Sequence, residues 1–245
     1  MIKLKKVHIS IDDCTKCFRE LYEKEEKITS IFEIPLFKIL HNFNKKYGLK
    51  VTLYCWSVKS GFKISSLSER FKDEFTANSD WLKMGFHSSA EFDYLSDGNL
   101  GRTTEMFCET VADFQESIER IAGKQCISSI IRLHYYSATN DEVRYLKDLG
   151  VNELLTSHDS RISYDLTEMQ QEYIEQNGSV EKNDVRYVKS DLCIDLVDDI
   201  EVINNLLNEK ERLTLFSHEI YFQRDKEKWE KILEILLKNK CEFIA

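Results

Sequence analysis

The sequence predicts an α/β fold, with parallel strands joined by helices and closing into a barrel, in a single domain over residues 1–245. Three observations carry that prediction. Strand-like runs rich in Val, Ile and Leu alternate with helix-like apolar stripes, and strands separated by helices of roughly 10–20 residues must run parallel. About seven such units follow one another, which favours a closed ring over an open sheet. A single proline, Pro35, and only eight glycines leave no linker that would divide the chain.

The elements follow in order. Residues 6–13 form the first strand, where Val7, Ile9 and Ile11 alternate with polar side chains before the run ends in two acids. Residues 30–47 carry the helical stripe Ile31, Ile34, Phe37, Leu40 and Phe43, and Gly48 supplies the stop. Further strands are expected at 49–56, 81–87, 126–136, 152–157, 186–195, 212–218 and 241–245. Helices are expected at 67–75, 103–122, 139–149, 198–208 and 225–239, the second and third closed by Gly123 and Gly150. The polar stretch 161–189 shows little periodicity and reads as a long excursion with short strands, placed to cover the barrel mouth.

Composition narrows the function. The 43 acidic and 34 basic side chains give a net charge of −9, which argues against a nucleic-acid partner, since that affinity rests on Lys and Arg displacing counterions. No apolar run is long enough to span a membrane. The first eight residues lack the apolar stretch of a secretory signal, and seven cysteines without a framework spacing suit a reducing compartment; a cytoplasmic protein is expected.

Polar residues collect at the ends of the expected strands, where parallel α/β folds bind ligands. Asp12 and Asp13 end the first strand, Trp56 the second and His87 the third. His134, Tyr135 and Tyr136 end the fourth, His158 follows the fifth, and His218 ends a later one. Of adjacent carboxylates, one can hold a divalent metal while the other takes a proton from water; the plainer alternative is a helix N-cap. His87 and Glu91 would share a cation if the turn between them were helical, whereas a solvated Glu91 is the commoner arrangement. A histidine in the position of His218 can hand a proton to a leaving group, or can simply be a core residue bonded to backbone. Arg132 falls inside an apolar run and needs a carboxylate such as Asp12 unless it lies on an exposed edge. Trp56 and Tyr135 are flat side chains suited to a sugar ring.

In this order and spacing the residues resemble the polysaccharide deacetylase (NodB-homology) superfamily, which includes carbohydrate esterase family 4. The resemblance spans residues 7–218. Ser10 to Asp13 is similar to the family's first motif, whose first Asp is the catalytic base and second a metal ligand. His87 to Glu91 is similar to the His-Ser/Thr-x-x-His metal motif. Ile131 to Tyr135 resembles Arg-x-Pro-Tyr/Phe, whose Arg orients the base, and Leu215 to His218 resembles the final Leu-x-His motif, whose His is the general acid. Glu91 stands in place of the second histidine, His134 in place of the proline, Cys14 in place of a glycine, and the Asp-x-x-Asp-Trp motif has no counterpart.

The resemblance implies a distorted (β/α)7 barrel and a metal-dependent hydrolase that removes an N-acetyl group from a saccharide or saccharide precursor. It implies a divalent metal, zinc first and Mn, Fe, Co or Ni otherwise, on Asp13, His87 and Glu91. Asp12 would be the base, Arg132 its partner and His218 the acid, with Trp56, His134 and Tyr135 meeting the substrate. Two other readings stand beside it. The same barrel without its chemistry would be a saccharide-binding module, and the C-x-x-C of Cys14 and Cys17 directly after a strand suggests thiol redox chemistry.

Overall fold

The computed structural model describes residues 4–94 and 100–245. Its spine is a set of parallel strands: β1 (Lys6–Cys14), β2 (Val51–Trp56), β3 (Leu82–Ser88), β4 (Ile130–Ile131), β5 (Glu153–Thr156), β6 (Val185–Lys189), β7 (Leu192–Cys193) and β8 (Arg212–His218). A short β9 (Glu242–Ile244) lies beside the first residues of β1. One ladder runs β7–β8–β1–β2–β3 and a second runs β4–β5–β6, with the arm Ser179–Lys182 antiparallel on the edge of β6. Two features join the ladders. A parallel bridge between Met84 and Ile127 ties β3 to the chain entering β4, and the segment carrying β6 and β7 leaves β5 to pair with β8. The outcome is a distorted barrel of mostly parallel strands, and counting β6 and β7 as one broken stave gives the seven that the resemblance implies.

The helices are α1 (Lys16–Lys24), α2 (Pro35–Tyr47), α3 (Lys72–Ala77), α4 (Thr104–Ala122), α5 (Asn140–Asp148), α6 (Glu168–Asn177), α7 (Val202–Glu209), α8 (Glu219–Arg224) and α9 (Lys226–Lys238). Helix α2 shows why they form where they do. Proline at its first position costs no hydrogen bond, Leu36, Phe37, Leu40, Phe43 and Tyr47 make one buried face, and Gly48 takes the left-handed conformation (φ 69°) that closes it. That face packs against a core in which Phe18, Leu53, Phe222 and Trp229 are fully buried.

Three departures from the sequence expectation bear on function. The strand expected at 126–136 shrinks to two residues. Ser128 Oγ bonds both the N–H and the carbonyl of Ile130, Cys126 belongs to a tight turn, and Tyr135 and Tyr136 adopt φ of 55° and 54°, so neither flank stays extended. Inside the 161–189 excursion sits α6, whose start is fixed by a reciprocal capping box between Thr167 and Gln170 although only Gln171 and Ile174 are buried. Helix α1 has no local cap. The buried carboxylate of Glu219 accepts hydrogen bonds from the amides of Thr15, Lys16 and Cys17 at 2.9, 2.8 and 2.6 Å and supplies one from 200 residues away.

Candidate active site

Successive residues of a strand point to opposite faces, so Asp12 and Asp13 reach one rim only because β1 breaks its pattern. The register between β1 and β2 shifts between Ile11 and Cys14, and Asp13 takes φ 61°. Such backbone in a residue other than glycine costs free energy and persists where packing enforces it. Asp12 then stays on the barrel side, in register with His218 on the neighbouring strand β8, while Asp13 turns along the rim.

Asp12 is buried and meets Arg132, whose Nη1 donates to its two oxygens at 2.9 and 3.3 Å. The same nitrogen donates to Ser10 Oγ at 2.9 Å, and Nη2 donates to Ser190 Oγ at 2.9 Å. The guanidinium plane lies over the Phe216 ring with 4.0 Å to its centroid. Burial opposes this charge, but Asp12 together with the nearby Tyr136, Tyr54 and Tyr164 holds the guanidinium above its ordinary pKa. Arg132 is therefore an interior residue paired with Asp12, not an exposed edge arginine.

His87 is buried at the end of β3, and its Nδ1 donates to the carbonyl of Arg132 at 2.7 Å. That bond fixes the tautomer and leaves the Nε2 lone pair facing Asp13 Oδ1 at 3.5 Å and His134 Nδ1 at 3.3 Å; His134 Nδ1 lies 4.0 Å from the same carboxylate. Ligands 2.0–2.2 Å from a tetrahedral zinc stand about 3.4 Å apart, so one carboxylate and two imidazoles have the spacing and the chemistry of a divalent-metal site. Burial first, and then the neighbouring His87 ring, drives His134 down to about 3, so its imidazole is in the neutral form a ligand requires. Burial pushes Asp13 the other way, but the neighbouring His87 ring, the hydrogen bond from Trp56 and the charge of Lys59 prevail, and its carboxyl sits well below the usual carboxylate range.

The third ligand-competent atom of this group belongs to His134, and the expected Glu91 lies outside it. Strand β3 runs on through Ser88 and ends in a turn closed by Phe92 N–H on the Ser89 carbonyl, not in a helix, so a four-residue spacing no longer puts His87 and Glu91 on one face. Glu91 ends up 52% exposed, its carboxylate 3.4 Å from Lys63 Nζ. Trp56 also differs from expectation. Its Nε1 donates to Asp13 Oδ1 at 2.7 Å and its ring packs edge-on against His134, which makes it a brace for the carboxylate. Tyr135 does open to the site: it is half exposed, with its ring centroid 4.3 Å from that of His134.

His218 ends β8 with Nδ1 donating to Asp195 Oδ2 at 2.6 Å, and its amide donates to the same oxygen at 3.0 Å. Bonds to Asp195 and Cys193 and the charge of Asp12 overcome desolvation and raise the imidazole to about 10, so it carries a proton at neutral pH. Sequence reasoning missed Asp195, although Asp195 and Asp198 carry the Asp-x-x-Asp spacing without its tryptophan. Asp12, His87, Arg132, His134, Tyr135, His158, Asp195 and His218 all line one recess of about 440 Å³ at the carboxyl ends of the strands. A second recess of about 540 Å³, reached past His218 and Tyr221, extends the cleft along Lys16, Arg19 and Lys59.

The thiol reading finds no support in this geometry. Cys14 and Cys17 are buried, and burial pushes both thiols up, the reverse of the exposed, acidified thiol that redox chemistry needs. No helix among the described residues is long and apolar enough to cross a membrane.

No protein-family model and no curated protein sequence matches the chain. Solved structures do. The chitin deacetylase from the fungal pathogen Colletotrichum lindemuthianum aligns with a TM-score of 0.55 at 14% identity, covering 99% of this chain and 86% of that one. A peptidoglycan N-acetylglucosamine deacetylase aligns with a TM-score of 0.53 at 13% identity, covering 98% of this chain and 85% of that one. The chain has the fold of the polysaccharide deacetylases along nearly its whole length.

Proposed function

We propose that this chain is a metal-dependent hydrolase that removes an N-acetyl group from a saccharide or saccharide precursor. The observation that carries the reading is the convergence, at the rim where the 440 Å³ recess lined by His87 and His134 meets the 540 Å³ recess lined by Asp13, of an Asp13–His87–His134 donor set, an Asp12–Arg132 pair and a protonated His218. A divalent cation on that donor set, zinc foremost, would supply Lewis acidity, polarising the acyl carbonyl and acidifying the attacking water. Asp12 accepts the proton of that water as the carbon–oxygen bond forms. Arg132 holds the Asp12 carboxylate in place. His218 gives its proton to the nitrogen as the carbon–nitrogen bond breaks, leaving acetate and an amine. Each proton transfer is worth about 10²–10⁴-fold. Tyr135 offers a flat, half-exposed face at the mouth for a sugar ring.

The test is acetate release from N-acetylglucosamine oligosaccharides by protein carrying one equivalent of zinc. Asp12→Asn and His218→Ala should each lose most of the activity while remaining folded at the assay temperature, read by circular dichroism. Near-wild-type acetate release by either variant overturns the assignment. A saccharide-binding barrel without chemistry would bind the oligosaccharide and release nothing.

A further inference from the structure

Beside the His218 acid lies a second group of metal-competent atoms. Cys193, Asp195 and His218 present a thiol, a carboxylate and an imidazole whose donor atoms all lie within 4.8 Å of one another. They converge on a single oxygen. Asp195 Oδ2 accepts from His218 Nδ1 at 2.6 Å and faces Cys193 Sγ at 3.8 Å, while Ser217 holds the other oxygen, Oδ1. Cys193 and the Asp195 carboxylate are buried, so two of the three donors are fixed by the barrel, and His218 opens onto the 440 Å³ recess. We propose that these three residues form a second metal site, distinct from Asp13–His87–His134, which takes a thiophilic divalent cation such as Zn²⁺ or Cd²⁺ and silences the His218 acid when filled.

The geometry is near what such an ion needs. A sulfur at 2.3 Å and an oxygen at about 2.0 Å from a tetrahedral ion stand about 3.5 Å apart, against the 3.8 Å between Cys193 and Asp195. The closer His218–Asp195 contact is a hydrogen bond, which lengthens when a cation replaces the proton. Entry of the ion releases two protons to solvent, one from the Cys193 thiol and one from the His218 imidazolium. The recess leaves room for water to complete the coordination. A sulfur–nitrogen–oxygen donor set favours Zn²⁺ or Cd²⁺ over Mg²⁺ or Ca²⁺, whereas the first site offers only nitrogen and oxygen. A metal-bound imidazole keeps only its second N–H, far too weak an acid to protonate a leaving amine, so the silencing, which rests on the proposed function, follows from the shared His218.

The experiment is a Cd²⁺ titration of metal-free protein, followed by the ultraviolet thiolate-to-cadmium charge-transfer band and by the number of ions bound. Wild type should bind two ions per chain, with the band. Cys193→Ser and Cys193→Ala should lose the band and bind the second ion at least about 100-fold more weakly. His134→Ala should keep the band and lose the other ion. The half-buried thiols Cys108 and Cys241 remain in every variant and serve as the internal control. A band that persists in both Cys193 variants, or a wild type that binds one ion with no band, overturns the site. Zinc beyond one equivalent should inhibit acetate release by wild type and spare Cys193→Ser; equal inhibition of both overturns the silencing. If no form releases acetate, the hydrolase reading fails while the cadmium counts still decide the second site.

Discussion

Two histidines on one rim of this barrel are driven in opposite directions. His134, among His87, Asp13 and Trp56, is held down to about 3, whereas His218, backed by Asp195, is lifted to about 10. Both are partly buried side chains near an aspartate. The difference lies in what each ring touches. His134 meets another imidazole at 3.3 Å, the Asp13 carboxylate is 4.0 Å away, and desolvation dominates. His218 donates to a buried carboxylate at 2.6 Å, and the hydrogen bond outweighs desolvation. The first neighbour sorts one residue type into a neutral ring on one side of the cleft and a protonated ring on the other.

The contrast can be broken from either side. On the metal side the largest effect is expected from His134→Ala, which should lower metal affinity by more than about 100-fold and take activity with it, while Glu91→Ala keeps both. Metal content after dialysis checks this, and the reverse result would restore Glu91 as the ligand. Arg132→Met leaves the Asp12 carboxylate buried without its partner and should destabilise the fold by about 3–5 kcal/mol, read by urea unfolding at neutral pH. Trp56→Phe removes one hydrogen bond from Asp13 and should weaken metal binding by about 10–100-fold in equilibrium dialysis. On the acid side, Asp195→Asn has the smallest effect at neutral pH. His218 must be protonated to act, and its raised pKa keeps it so until pH rises through about 10. Without the Asp195 charge the group drops toward its ordinary value near 6.5, so the alkaline limb of the kcat/KM profile moves to lower pH. At pH 7.5 the variant should lose roughly ten-fold, measured with one equivalent of metal; an unmoved limb would mean that Asp195 does not set the acid.

What the sequence made legible follows the range of the forces involved. Strands β1, β3 and β8 and their terminal Asp12, Asp13, His87 and His218 could be read because apolar alternation and an abrupt polar end are local signals. The pairing of Arg132 with a carboxylate was legible because a guanidinium in an apolar run has few other arrangements. The position of His134 was not, because it depends on the left-handed turn at Tyr135 and Tyr136, which no proline or glycine announces. Asp195 was hidden by reading 186–195 as one strand, when the chain changes ladder between β6 and β7. Helix α1 escaped because its cap is a carboxylate far along the sequence.

Arg132 has a consequence for how the cleft tolerates motion. Its carbonyl holds His87 and its guanidinium holds Asp12, so the proposed cation ligand and the proposed proton acceptor are both referenced to a single residue. When the barrel breathes, displacements of those two groups share their sign, and the gap between them changes less than either one travels. Alignment is thereby buffered against thermal drift without rigidifying the whole ring.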